Sequence, residues 1–355
     1  MAGDCIGLDI GSSAIKVVEL KVGRKGTRLV HFGIEPLAPQ VIVDGAIMDQ
    51  GAVVEAIGRL KQALGLKAKL CATAISGHSV IVKKIQMPPM GKDELADQIP
   101  LEAEQHIPFK RDEVDIDHQV VTPKNAQGQM EVILVAAKKE MIADTMQVIR
   151  DAKLQPVVMD VAAFSVQNAY EAAYGTPSAS APVALIHVGH AITHVNIIAG
   201  GISVFARDVT VGGAAFTEEI QRRLHLGHEE AEAFKIALGE PPAEGAPVVP
   251  AGVAPIVEEV AESTAAKLQR SLDFFLASAP EVALSRIYLS GGSVKVEALV
   301  RHLTARAKVP VEILDPFKRT VIDPARLDAA FVRAHAVDAA VAVGLALRRP
   351  GDRPA

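Results

Sequence analysis

One pattern occurs twice in this sequence, once in each half of its 355 residues. Cys5-Ile6-Gly7-Leu8-Asp9-Ile10-Gly11 aligns with Val183-Ala184-Leu185-Ile186-His187-Val188-Gly189, which sets Gly11 on Gly189. A second strand-like run follows each glycine, Ala14 to Leu20 and Ile192 to Ile198. Each then meets another glycine turn, Gly23 to Gly26 and Gly200-Gly201, and a third run, Thr27 to Glu35 and Ile202 to Val211. Short apolar runs punctuated by glycine turns read as strands. Each half therefore opens with a three-stranded meander. Self-similarity of a whole supersecondary unit predicts a duplicated α/β architecture with two lobes.

The stretches between the meanders supply the helices. Gln50 to Leu64 carries helical periodicity through Val53, Val54, Ile57, Leu60 and Leu64. A strand pair is expected at Lys69 to Ile75 and Ser79 to Ile85, then a Pro88-Pro89 break and a helix from about Lys92 to His106. Met130 to Ala137 with Lys138 to Lys153 reads as a β–α unit, as does Gln155 to Met159 with Val161 to Ala173. The Gly-, Pro- and Ser-rich run Tyr174 to Pro182 is the best linker, and the crossing between lobes is placed there. Phe216 to Ala279 reads as mostly helical, interrupted by a proline-bearing loop from Gly239 to Gly252. A strand at Arg286 to Leu289, a helix from Val294 to Ala307 and a last helix from Ala334 to Leu347 complete the pattern.

Composition narrows what such a fold serves. Hydrophobic residues make up 49% of the chain and charged ones 22%, too apolar for disorder. A net charge of −5 argues against a broad nucleic-acid surface, and 4% aromatics with no Trp against stacking platforms for single strands. Cys5 and Cys71 lie in apolar runs and are expected as buried thiols, not a disulfide. Asp4 and Asp9 interrupt any apolar leader, and no window reaches about 18 uninterrupted apolar residues. The tail Arg348 to Ala355 is polar rather than an amphipathic anchor. The expectation is a cytoplasmic chain that does not insert itself into a membrane.

Three glycine turns directly follow apolar strands, at Gly11, Gly189 and Gly291-Gly292. Backbone N–H groups in such turns can cradle phosphate oxygens, with Ser12 and Ser13 as further donors and Lys16 as a cation. Gly291-Gly292 is expected at a helix N-terminus, which favours an anion or nucleotide. A tight β-turn is the plain alternative for any one of them. There is no G-x-x-x-x-G-K-[ST] run and no G-x-G-x-x-G, so P-loop and Rossmann readings fail. Asp9 can hold Mg²⁺ through water or simply stabilise its turn. Glu232 and Lys235, spaced i, i+3, can hold a ribose and base or form a surface salt bridge. His187, His190 and His194 resemble a metal cluster only in spacing, because strand residues 187 and 190 point to opposite faces.

These residues carry a resemblance. Leu8 to Lys16 and Val188 to Thr193 are similar to the two phosphate loops of the actin/Hsp70/sugar-kinase superfamily, and Leu289-Ser290-Gly291-Gly292 to its adenosine turn. Within it the chain resembles the PilM family, FtsA-like cytoplasmic proteins of type IV pilus assembly. The supporting segments are Met87-Pro88-Pro89-Met90, Glu102 to Phe109, Val135 to Lys138, Arg207 to Gly213 and Asp315-Pro316-Phe317.

The resemblance implies an actin-like (duplicated ribonuclease H-like) α/β fold with four subdomains around a nucleotide cleft. Residues 1–78 and 156–175 would form subdomain 1A, 79–155 an FtsA-type 1C, 176–213 and 286–333 subdomain 2A, and 214–285 subdomain 2B. Residues 334–355 would be a helix returning to 1A, with a tail. It implies ATP or ADP with Mg²⁺, phosphates on Gly11, Ser12, Ser13, Lys16, Gly189 and Thr193, and adenosine on Glu232, Lys235, Gly291 and Gly292. His190, Gly212 and Gly213 would be further cofactor contacts, and Asp9 would hold Mg²⁺ through water. No catalytic residue stands out; Asp9 and Asp160 are the candidates.

Subdomain 1C would capture the cytoplasmic N-terminal peptide of PilN, an inner-membrane protein, which would hold the chain at the membrane. Leu101, Ala103 and Ile107 are the candidate partner positions, in a segment expected to be broken by Pro100 and Pro108; core packing is their alternative role. Other inner-membrane platform proteins and the assembly and retraction motor ATPases are further implied partners. One departure matters. Many superfamily members carry Asp two residues before the second phosphate glycine, and here that position is His187. A neutral imidazole does not replace a hard-cation oxygen ligand, so slow or negligible hydrolysis is expected. A small-molecule kinase would need a carboxylate base, for which Asp160 is the one candidate. An FtsA-type division filament would want a C-terminal amphipathic helix.

Overall fold

The computed structural model describes residues 5–24, 26–239, 248–279 and 283–352. The first lobe runs β1 (Cys5–Ile10), β2 (Ala14–Gly23), β3 (Gly26–Pro36), a small hairpin of β4 (Ile42–Val43) and β5 (Ala46–Ile47), α1 (Gln50–Leu64) and β6 (Leu70–Ile75). It continues through β7 (Val80–Met87), α2 (Lys92–His106), β8 (Val114–Thr122), β9 (Met130–Lys138), α3 (Lys139–Asp151), β10 (Gln155–Val161) and α4 (Ala162–Tyr174). The second lobe holds β11 (Val183–Val188), β12 (Thr193–Ala199), β13 (Ile202–Val209), α5 (Ala214–Leu224), α6 (His228–Gly239), α7 (Val253–Ser278), β14 (Arg286–Ser290), α8 (Glu297–Arg306) and β15 (Val311–Ile313). Then come β16 (Thr320–Val321), α9 (Ala329–Ala334) and α10 (Ala340–Ala346).

Sheet order carries the duplication. The first large sheet reads β3-β2-β1-β6-β10, with β16 beyond β3, and the second reads β13-β12-β11-β14-β15. In both, an antiparallel meander is followed by two parallel strands. Parallel central strands are covered on both faces, so they read as continuous apolar runs. Cys5 to Leu8 and all of Val183–Val188 are accordingly buried. On one face of the first sheet, Ile6, Leu8, Val17 and Cys71 pack with Val53, Ile57 and Leu60 of α1. Asp49 caps α1 by accepting from the Ala52 N–H at 2.9 Å, and Gly65 ends it at φ 59°.

The other face carries the join between the lobes. α10 crosses β1 so closely that a Cβ at Gly7 would lie 2.0 Å from Ala342 O, and one at Gly344 would lie 1.7 Å from Ser165 O of α4. All three tyrosines of the chain meet there. Tyr170 stacks on Tyr174 at 5.3 Å, and Tyr288 of β14 lies 4.9 Å from both.

β7, β9 and β8 form a separate antiparallel sheet in that order, with α2 across it. Leu70–Ile75 and Val80–Met87 are therefore not a strand pair; the first joins β1 and β10, the second joins β9. α2 also runs through Pro100 and ends at His106, capped by Ile107 before Pro108, so the expected break at Pro100 is corrected. A proline costs an internal helix its hydrogen bond, but burial of Leu95, Ile99 and Ala103 on the sheet holds this one together. Gly291-Gly292 opens a 3₁₀ turn, Gly292–Lys295, and α8 begins only at Glu297. The last expected helix is two α segments joined by a 3₁₀ turn. Cys5 and Cys71 are buried and free. Most of the expected Gly239–Gly252 loop lies outside the described residues.

Candidate functional site

The two repeated turns face one another across a cavity of about 100 Å³. Each is closed by the same bond: Gly11 N–H to Ala14 O at 3.1 Å, and Gly189 N–H to Ile192 O at 3.0 Å. Asp9, Gly11, Ser12, Ser13 and Lys16 line the cavity from the first lobe, and His187, Gly189, His190 and His194 from the second. The register makes the two sides equivalent. Asp9 sits opposite Lys16 on β1 and β2, and their side chains pair at 3.2 Å. His187 sits opposite His194 on β11 and β12, and their rings stack at 5.8 Å. One lobe thus presents an ion pair where the other presents two imidazoles.

The imidazoles differ in proton affinity. His187 is buried with Nδ1 3.0 Å from Ser290 Oγ. Burial, His194 and Lys16 drive its pKa well below the ordinary histidine value, so it stays neutral. Burial also opposes a charge on His194, but the Asp208 carboxylate at 2.6 Å outweighs it and raises the pKa. His190 is lowered by burial and by Lys235. Asp208 Oδ2 accepts the N–H of Gly77 at 2.6 Å, and Thr210 Oγ1 lies 3.0 Å from His78 Nε2. Both contacts run from β13 and its following turn to the loop after β6, so they tie one lobe to the other.

At the far end, Glu232 Oε2 binds Lys235 Nζ at 2.6 Å and accepts the Thr217 hydroxyl at 2.5 Å. Lys235 is only 8% exposed and also reaches Gly213 O at 3.4 Å, so this is a buried constellation and not a surface salt bridge. Burial raises the Glu232 pKa, and Lys235 more than reverses that, holding the carboxylate below its usual range. The nearby glycines serve the protein's own backbone. Gly213 N–H donates to Gly189 O at 3.0 Å, and Gly291 N–H to Val337 O at 2.8 Å. A Cβ at Gly212 would lie 2.4 Å from Gly189 O, and one at Gly291 2.3 Å from Val188 O. These residues seat α5 and the Gly291-Gly292 turn, with Gly292 beside Asp338, against the turn at Gly189.

Two expected site residues fall elsewhere. Thr193 is fully buried and donates to Val211 O at 2.7 Å, a strand-to-turn brace outside the cavity. Asp160, near the end of β10, lines a second recess and not the cavity between the two turns, where Ala162 at the start of α4 stands instead. Among the described residues no group of three or more His, Cys, Asp or Glu could hold a metal, and no helix is long and apolar enough to cross a membrane.

That second recess, a groove of about 830 Å³ between β8, β10 and α4, was not visible in the sequence. Among the described residues, three buried side-chain atoms lack a hydrogen-bond partner: Asp160 Oδ2, Asn168 Nδ2 and Arg348 Nε. All three residues line this groove. Unsatisfied buried polar atoms are rare and costly, and their clustering points to a ligand. The expected partner positions do not form such a surface. Ala103 and Ile107 are buried in the core beneath α2, and only Leu101, 51% exposed, faces outward.

Comparison with known proteins agrees with the fold. A solved structure described as the PilM-PilN type IV pilus biogenesis complex is 29% identical, covers 97% of this chain and 98% of that one, and superposes with a TM-score of 0.85. The ethanolamine utilization protein EutJ from Carboxydothermus hydrogenoformans (14% identity, 97% and 89% coverage, TM-score 0.58) shares the fold. So does MreB 5 of Spiroplasma citri bound to AMPPNP (13% identity, 96% and 93% coverage, TM-score 0.51). Residues 7–350 match the family described as Type IV pilus assembly protein PilM. The chain has an actin-like fold and belongs to the PilM family of type IV pilus assembly proteins.

Proposed function

We propose that this protein is a nucleotide-responsive adaptor of pilus assembly. It holds ATP or ADP with Mg²⁺ between its lobes, hydrolyses ATP slowly or not at all, and takes the cytoplasmic N-terminal peptide of PilN in the groove between β8 and β10. The observation that carries this is a shared wall. Ile75, at the end of β6, lines the phosphate cavity on one side and the groove on the other. Filling one recess can then bias the shape of the other through that strand end, which is what coupling between two sites requires. The partner is taken from the solved complex, whose PilM is paired with PilN.

The residues present fit the cofactor. Two glycine turns, the hydroxyls of Ser12 and Ser13, and Lys16 would hold phosphate oxygens, and Asp9 would hold Mg²⁺ through water. Glu232 and Lys235, beside Gly213 and Ser293, would hold the ribose and base. Bound Mg²⁺ supplies neutralisation of charge on the phosphates. Lys16 would exchange Asp9 for phosphate oxygen, freeing Asp9 for the hydrated cation. His187 supports slow hydrolysis: it is uncharged, its Nδ1 faces Ser290, and it offers no anionic oxygen to a hard cation or attacking water. Small-molecule kinase activity loses its base, since Asp160 faces the groove. We assign residues 79–155 as the peptide-binding 1C unit, 1–78 with 156–175 as 1A, 176–213 with 286–333 as 2A, and 214–285 as 2B.

The test is to identify the nucleotide that co-purifies with the full chain, its turnover rate, and its binding of a synthetic PilN N-terminal peptide. Expected are ATP or ADP, turnover far below that of an actively cycling Hsp70, loss of nucleotide in Lys16→Ala, and saturable peptide binding. Rapid turnover sinks the slow-hydrolysis reading, and a peptide that does not bind sinks the adaptor.

A further inference from the structure

The repeat that organises the molecule also matches side chains across the cavity. Setting Gly11 on Gly189 sets Asp9 on His187 and Lys16 on His194. The strands keep that correspondence, with Asp9 opposite Lys16 on β1 and β2, and His187 opposite His194 on β11 and β12. All four residues line the cavity. His194 therefore stands in the second lobe where Lys16, which would hold phosphate, stands in the first. Their carboxylate partners differ. Lys16 pairs with Asp9 across β1, whereas His194 pairs with Asp208 across β13. That choice leaves His187 out of the pair and turns His194 toward the contacts between the lobes.

The ring is set up as a donor. Its Nδ1 lies 2.6 Å from Asp208 Oδ1. A carboxylate only accepts, so Nδ1 carries a hydrogen, and Nε2 is the ring nitrogen left for whatever enters the cavity. Burial opposes a second proton, but Asp208 on β13 and Asp9 on β1 together outweigh it. His187, stacked on the ring from β11, has its proton affinity driven the other way. A phosphate group arriving beside the ring would favour the protonated form further.

Position along the cavity indicates which phosphate. His190, in the turn between β11 and β12, responds to Lys235 and Glu232. His194, beyond that turn, responds to Asp208 and Asp9 instead. A nucleotide whose base sits at Glu232 and Lys235 would pass His190 first and end between Lys16 and His194.

Resting on the nucleotide reading above, we propose that His194 donates from Nε2 to the terminal phosphate of a nucleoside triphosphate, opposite Lys16. The site would thereby tell a triphosphate from a diphosphate. Asp208 carries the contact onward, because its Oδ2 accepts the Gly77 N–H of the first lobe at 2.6 Å. A triphosphate that fixes His194 also fixes Asp208 for Gly77, so it favours the closed lobes more than a diphosphate does.

Calorimetric titration of the full chain with ATP and with ADP, each with Mg²⁺, tests this in the native protein and in His194→Gln. The substitution keeps a donor for Asp208 and removes the cation. The native chain should bind ATP about tenfold tighter than ADP, and His194→Gln should lose about tenfold on ATP and less than about threefold on ADP. A residue that only braces β12 on β13 would weaken both nucleotides alike, and that result overturns the proposal. So does an ATP affinity untouched by the substitution, or a native chain that binds both nucleotides equally. If the variant fails to fold by circular dichroism, hydrogen exchange at the Gly77 amide of the native chain decides. ATP should protect that amide more than ADP, and equal protection overturns the proposal. A native chain that binds neither nucleotide would remove the nucleotide reading itself, and this inference with it.

Discussion

At the scale of single residues, the histidine pair His187 and His194, facing each other across β11 and β12, shows how neighbours decide proton affinity. His194 faces Asp208 on β13, His187 on β11 and Asp9 on β1, while Lys16 on β2 acts on His187 and His78, after β6, acts on Asp208. Its folded pKa is raised, so its stabilising share is complete below its unfolded value of 6.5 and is lost as pH climbs through the folded pKa. Asp208 has a lowered pKa, so its share is present above 3.8 and is lost as pH falls through the folded value. The pair thus contributes most between those two limits, around pH 4 to 6.5. His187 and His190 run the other way, and they remain in any Asp208 variant, so they cancel in a difference. Asp208→Asn should cost about 2 kcal/mol at pH 6, shrinking as the pH passes well above 6.5, by thermal denaturation. A difference that stays flat or grows with pH would contradict the assignment. None of this was legible in spacing alone: the sequence shows three nearby histidines, and only the β12–β13 register puts a carboxylate on one of them.

At the scale of elements, two glycines with opposite surroundings make a paired prediction. Gly58 lies inside α1, where an added Cβ would have nothing within 4 Å, while a Cβ at Gly344 would lie 1.7 Å from Ser165 O. Gly58→Ala should therefore stabilise by about 0.5–1 kcal/mol, through helix propensity and a less free unfolded chain. Gly344→Ala should destabilise by about 3 kcal/mol or more by prising α10 from α4, as measured by urea unfolding. On α2, Leu101→Asp should stay within about 0.5 kcal/mol, and Ile99→Ala should cost about 2–4 kcal/mol, because only the second empties core volume. β1 and α1 were readable to the residue because continuous apolar runs and a 3.6-residue stripe leave few alternatives. β8 was not, since Asp115, Asp117, His118 and Gln119 interrupt its apolar pattern where it borders the groove. The groove's unsatisfied atoms come from residues 160, 168 and 348, which adjoin only once α10 has returned the chain to the first lobe. A surface assembled by such a return has no local sequence signal.

At the scale of the whole molecule, the proposed function makes the cavity between the turns at Gly11 and Gly189 the closed form of a larger cleft. Its volume of about 100 Å³ falls short of the roughly 300–1,000 Å³ that ligand sites occupy, so it has no room for a whole nucleotide. The constellation at Glu232 and Lys235 is likewise closed on itself. Admitting a nucleotide requires the lobes to part. What holds them together near the cleft is Asp208 to Gly77 and Thr210 to His78, while the tyrosine cluster and the α4–α10 crossing lie at the join. Opening about that join would break the first set and leave the second intact. Nucleotide association should then be gated: in stopped-flow mixing with a fluorescent ATP analogue, the observed rate should level off as concentration rises, at the rate of opening. Thr210→Ala removes one tie without touching a phosphate-lining residue, so it should raise that plateau while leaving the overall fold unchanged by circular dichroism. A rate that grows linearly with concentration to the end of the accessible range, in both proteins, would mean that the lobes already stand open in solution.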